Sequence, residues 1–144
     1  DEERPLTDEG KQKTKKVAKR LSELKLDFDL ILTSPLVRAR QTAEILQAAG
    51  LSSHLEDSAD LGFNGNIHNW LNWLETWRQT GGTCLALVGH QPNLGNWAET
   101  LVWGEGRGNL VLKKAGIIGV TIPETGSPIG QSQMFWLTPP RMLL

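Results

Sequence analysis

Apolar positions follow two rhythms along this chain. Val17, Leu21 and Leu24 recur at i, i+4 and i+7, which predicts a helix with one buried face. Thr7 is placed to cap it, with Asp8 and Glu9 at the positive end of its dipole. Residues 28–33, centred on Leu30–Ile31–Leu32, read as a buried strand. Leu36, Ala39, Ala43 and Leu46 return to helical spacing. That helix is expected to open at Ser34 as cap with Pro35 in its first position, and to end near Ala49 at Gly50. Residues 51–56 read as a short strand and residues 59–66 as a Gly- and Asn-rich loop. Residues 69–79 form a helix with Trp70, Trp73, Leu74 and Trp77 on one side, taken as core rather than a ligand-stacking stripe. Residues 83–88 (TCLALV) are short, apolar and continuous, the pattern of a central parallel strand buried on both faces. A helix over 93–102 follows, with Leu94, Trp97 and Leu101 inside, then a loop over 104–108. Two antiparallel strands, 117–122 and 133–138, complete the pattern, and Pro139–Pro140 ends it.

Alternation of helices and strands followed by a strand pair predicts an α/β fold. We expect a three-layer α/β/α sandwich with a largely parallel, mixed sheet, built as a single domain over residues 1–144. Composition narrows the function classes. A formal net charge of -1 argues against a dedicated nucleic-acid binder. No stretch approaches the roughly 20 apolar residues of a membrane span. Residues 1–16 are polar and charged, without the apolar core of a signal peptide. The single cysteine, Cys84, excludes an intramolecular disulfide and fits a reducing compartment, so a cytoplasmic location is expected. Lys11, Lys13, Lys15, Lys16, Lys19 and Arg20 crowd the first helix. They read either as a docking patch for an acidic partner or as a solvated face balanced by Asp1, Glu2, Glu3, Asp8 and Glu9; we take the second.

Two junctions carry candidate chemistry. Thr33–Ser34–Pro35–Leu36–Val37–Arg38 and Val88–Gly89–His90–Gln91–Pro92 each lead from a strand end into a helix start. In open α/β sheets, ligands bind beyond the carboxyl ends of parallel strands. Arg38, in the first turn of its helix, leans back over the free amides there, so amides, dipole and guanidinium converge on a spot suited to phosphate. Gly89 permits close approach of the backbone, and the Gln91 amide adds a second donor. His90 has three chemical readings: polarising a phosphate oxygen, acid–base work, or metal binding. Metal is disfavoured, because His54 and His68 lie in unrelated segments and no carboxylate stands at ligand spacing from His90. Taken singly, His90 could simply hydrogen-bond at a strand end and Arg38 could form a surface salt bridge. Their equivalent positions favour a shared anion site. No GxGxxG or Walker A pattern supports a nucleotide-binding domain.

The segments RPLTDEG, SPLVRARQTA and LVGHQP, in this order, resemble the histidine phosphatase superfamily, and within it the short SixA-type phosphohistidine phosphatases. Leu137–Thr138–Pro139 is similar to the same group. The resemblance spans essentially the whole chain and implies a phosphoglycerate mutase-like fold. It implies that Arg38 binds the phosphoryl group and that His90 stabilises charge on it as it transfers. Arg4 and the Gln91 amide would add to the phosphate pocket, and Asp60 is the nearest candidate proton donor. The family's nucleophile is a histidine in an Arg-His-Gly motif at the end of the first, central strand. None of the three histidines here sits in that motif, and the chain does not begin with Met. The resemblance thus places the nucleophile and a core strand upstream of residue 1, and the 144 residues alone are expected to be inactive. The implied activity is hydrolysis of a phosphohistidine on a signalling protein through a covalent phosphohistidine enzyme, without metal or cofactor. Phosphatase action on small phosphoesters and non-catalytic phosphate binding are the alternatives.

Overall fold

In the computed structural model, residues 3–144 are described; Asp1 and Glu2, expected to help balance the basic helix, lie outside them. The protein forms two compact units, one running up to His90 and including Leu144, the other spanning Gln91–Leu143.

The first unit begins with α1 (Asp8–Glu23). The Thr7 hydroxyl accepts the Gly10 N–H at 3.0 Å, closing the first turn as the sequence implies. Thr14, Val17, Ala18 and Leu21 form its buried stripe. Leu24 is not part of that stripe: it is the C-cap and is 46% exposed, because the helix has ended and Lys25 turns the chain at φ 65°. β1 (Leu30–Thr33), α2 (Val37–Ala48), β2 (Leu55–Asp57), α3 (Ile67–Gln79) and β3 (Leu85–Val88) follow. The three strands form a parallel sheet in the order β2-β1-β3, with Ile31 opposite Leu55 and Thr33 opposite Val88.

β1 is the buried strand, with all four residues inside. β3 was expected in that role. Instead its residues are half-exposed, and among the described residues it pairs with β1 alone. Its run of apolar side chains suits burial on both faces, but among the described residues a paired strand covers only one of its edges. Asp29 fastens the entry of β3 to that of β1. Its Oδ2 accepts the Thr83 N–H at 2.9 Å, the Thr83 hydroxyl at 3.0 Å and the Cys84 N–H at 3.0 Å. These bonds, the one from the Thr83 N–H foremost, hold the carboxyl below its ordinary pKa.

α2 starts at Val37 with Leu36 as cap, later than the Ser34–Pro35 start expected. Ser34 is still strand-like: its N–H donates to the Val88 carbonyl at 2.8 Å, extending the β1–β3 ladder. Pro35 reinforces this, since a residue before proline avoids helical dihedrals. α3 is capped by Asn66, whose side chain accepts the His68 N–H at 2.7 Å. Trp70 and Leu74 are buried, as expected, whereas Trp73 and Trp77 are half-exposed and stack on each other at 5.7 Å.

The second unit comprises α4 (Asn93–Trp103), β4 (Ile117–Thr121) and β5 (Gln133–Thr138), the last two antiparallel as expected. α4 ends at Gly104, whose φ of 96° suits a residue without Cβ. The loop beyond is held from inside by Glu99, which is 1% exposed. One carboxylate oxygen accepts the Arg107 N–H at 2.8 Å; the other accepts the N–H groups of Asn109 at 2.7 Å and Leu110 at 2.9 Å. These amides, Leu110 first, keep the carboxyl ionised to lower pH than usual, against the opposing effect of burial.

A carboxyl with a depressed folded pKa stabilises above its ordinary value of 4.5 and loses that contribution as pH falls through the folded value. Amide exchange at Arg107, Asn109 and Leu110 should therefore be slow at neutral pH relative to intrinsic rates. Glu99→Gln should speed it selectively at these three residues. Unchanged exchange in the variant, measured by NMR, would show that the carboxylate does not hold the loop.

Candidate phosphate site

The pairing of β1 with β3 decides where the candidate residues fall. Ser34 follows β1 directly and is bonded to Val88, the last residue of β3. His90 lies two residues beyond Val88 and so arrives beside Ser34. His90 Nε2 and Ser34 Oγ are 2.8 Å apart. Ser34 is fully buried and His90 is 9% exposed. Ser34 Oγ also accepts the Leu36 N–H at 3.2 Å. The Phe63 ring covers His90 with centroids 4.4 Å apart. Its loop is drawn in tightly at Gly65, where a Cβ would lie 1.6 Å from the Asp60 carbonyl oxygen.

Arg38 is the second residue of α2 and is half-exposed. Among the described residues it has no carboxylate partner, whereas Arg40 pairs with Asp57 and Glu44. Its charge reaches His90: burial first, and the Arg38 guanidinium second, push the imidazole below its ordinary pKa. Near neutral pH the site holds one fixed cation, the open amide end of a helix and a neutral imidazole with Nε2 engaged. That arrangement suits a tetrahedral oxyanion. Cys84 is no rival nucleophile; partial burial, then Asp29 and Asp27, push its thiol up and keep it protonated.

The family model for the histidine phosphatase superfamily (branch 1) matches residues 1–61. An uncharacterized protein of Picosynechococcus sp. is 48% identical over 148 residues, an alignment covering 100% of this chain and 88% of that protein. The structure of the protein histidine phosphatase SixA complexed with tungstate superposes with a TM-score of 0.86 at 26% identity, covering 100% of this chain and 89% of that one. The chain belongs to the histidine phosphatase superfamily. A structure of SixA from Agrobacterium tumefaciens, assigned as a phosphohistidine phosphatase, shares the fold at a TM-score of 0.74 and 19% identity, over 96% and 84% of the two chains. The mixed α/β architecture with its parallel sheet is thus that of the SixA-type, phosphoglycerate mutase-like histidine phosphatases.

Within this histidine phosphatase fold, Arg38 and His90 come together. The other expected residues have the following surroundings. Arg4 is exposed, and its segment is tied to α2 where the Leu6 N–H donates to Gln41 Oε1 at 2.7 Å. Gln41 is three residues past Arg38 and shares its side of the helix, so the RPLT segment runs along the wall that carries Arg38. Asp60 lies in the short 3-10 turn Ala59–Leu61 and donates its N–H to Ser58 Oγ at 3.3 Å. It belongs to the loop that carries Phe63. Gln91 opens the second unit, where its side-chain oxygen accepts the Gly95 N–H at 3.3 Å. Sequence reasoning assigned Ser34 to helix capping and passed over Phe63. The only sequence signal for Ser34 was its place at a strand end matching that of His90. Phe63 carried none. Among the described residues, no three His, Cys, Asp or Glu side chains gather as metal ligands.

By this geometry the His90 pKa, followed by NMR, should lie below the ordinary 6.5. Arg38→Ala should raise it part of the way only, because burial is the larger cause. A His90 that titrates at its ordinary value in wild type, or is unmoved by Arg38→Ala, would refute the convergence.

Proposed function

We propose that the protein is a protein-histidine phosphatase, acting on a phosphohistidine of a signalling protein through a covalent phosphohistidine enzyme. Membership in the histidine phosphatase superfamily supports phosphatase chemistry, and likeness to the protein histidine phosphatase SixA supports the substrate class. The observation that carries the reading is the buried Ser34–His90 pair in the field of Arg38, at the amide end of α2.

In this reading the nucleophile is a histidine of an Arg-His-Gly motif; none of His54, His68 and His90 sits in one. Its ring nitrogen attacks phosphorus in line. The substrate P–N bond breaks, and the departing imidazole takes up a proton. Water then attacks phosphorus, the enzyme P–N bond breaks, and inorganic phosphate leaves. Arg38 and the first-turn amides of α2 offset charge on the equatorial oxygens throughout. Ser34 holds Nε2 of His90 and so orients the imidazole toward the phosphoryl group. In this reading Arg4 adds to the phosphate pocket, and Asp60 is the candidate acid. No metal enters this scheme. The protein works in the cytoplasm, in keeping with its lone cysteine; no helix among the described residues is long and apolar enough to cross a membrane.

Full-length protein should hydrolyse phosphohistidine and be inhibited by tungstate. Arg38→Ala and His90→Ala should each lower kcat by roughly 10²–10³-fold, the range for loss of one charge-stabilising donor. Activity indifferent to both changes would sink the site assignment. The alternative is a phosphate-binding relative without catalysis. It expects tungstate to bind the full-length protein with no turnover at all.

A further inference from the structure

We propose that the groove between α1 and α2 docks an acidic amphipathic helix of the phosphorylated partner; the partner's identity as substrate rests on the phosphatase reading above. Of the chain's 15 lysines and arginines, six fall within residues 11–20, and no acidic residue interrupts them. With its three acidic residues α1 carries a net charge of +3, leaving -4 on the rest of the chain. The cationic character is therefore local to this helix.

Part of that charge lines a groove of about 470 Å³ along the α1–α2 seam. Lys15 and Lys19 line its α1 side together with Ser22 and with Glu23, whose carboxylate Arg20 engages; Ala18, Ile45 and Ala48 supply apolar surface between the helices. Lys11, Lys15 and Lys19 are spaced four residues apart, so cations recur about every 6 Å along one edge. Arg20 is engaged by Glu23 at 3.3 Å and is not part of the row. Among the described residues, Lys11, Lys15 and Lys19 form no ion pair with a carboxylate. A regular cationic edge beside a narrow floor of small side chains fits a helix with Glu or Asp at every fourth position flanking an Ala/Leu ridge. A flat anionic membrane fits less well. The floor is recessed between two helices and offers small side chains, not large apolar ones that would insert.

α2 links this groove to the candidate site. Arg38 is in its first turn and Ile45 and Ala48 are in its last two, roughly 10–15 Å further along at 1.5 Å per residue. A helix seated in the groove would bring its protein within one helix length of Arg38 and His90.

The test uses full-length protein and a labelled synthetic peptide of about four helical turns, with Glu at every fourth position beside a Leu/Ala stripe. Wild type should bind it, less tightly as salt rises, and should ignore the same peptide with Lys for Glu. Lys15→Glu with Lys19→Glu, and separately Ala48→Trp, should each weaken binding about tenfold or more. Circular dichroism checks that both variants fold, and turnover of free phosphohistidine should be unchanged in both. Failure of wild type to bind, equal binding of the Lys peptide, or undiminished binding by either variant would overturn the groove while leaving the phosphatase reading intact. So would retention on equimolar phosphatidylcholine–phosphatidylserine vesicles without peptide binding. Peptide binding in the expected pattern, with no turnover by wild type, would instead overturn the phosphatase reading and leave the docking surface standing.

Discussion

The candidate site depends on one backbone hydrogen bond, from the Ser34 N–H to the Val88 carbonyl. It carries the β1–β3 ladder past the end of β1 and fixes the level at which both chains leave the sheet. Slipping that register by one residue would turn the exiting side chains to the opposite face and separate Ser34 from His90. Three other interactions reinforce it. Asp29 pins the entry ends of the same strands, the Ser34–His90 bond joins their exits, and Phe63 shields the imidazole from the side.

Placing arginine near histidine in a buried setting also settles the protonation of the pair. A second cation beside Arg38 is disfavoured by burial and by repulsion alike, and both push the imidazole pKa down. The site then combines a permanent charge with a directional N–H donor instead of two competing charges. An entering anion meets a preset electrostatic field and needs no proton rearrangement to be bound.

Much of this was legible in the residues. Periodicity located the helices, the parallel strands and the closing hairpin, and the two strand–helix junctions singled out Arg38 and His90. What was missed follows from interactions that local pattern does not encode. Ser34 and Pro35 look like a helix start, yet the Ser34 N–H is claimed by Val88, 54 residues away, so the helix waits until Val37. The LALV run reports what environment would suit β3, not which neighbours reach it. Trp73 and Trp77 share the helical side of Trp70 and Leu74, yet both are half-exposed and stack on each other, which periodicity does not encode. Phe63 sits in a loop with no periodicity, and its place over His90 is a contact between distant segments that local pattern does not encode.

The Asp29 clamp has a kinetic consequence. Its partners Thr83 and Cys84 are 54 and 55 residues away, and Ser34 is 56 residues from His90. A parallel strand pair cannot be nucleated by a tight turn; the intervening chain must first be looped back, at an entropic cost that local contacts do not repay. Helices α1, α2 and α3 can begin to form from near neighbours, while the β1–β3 seam waits on chain closure. The phosphate site, which exists only at that seam, is thus among the late features of the first unit to be assembled, and a chain caught before closure would have its helices but no place to hold an anion.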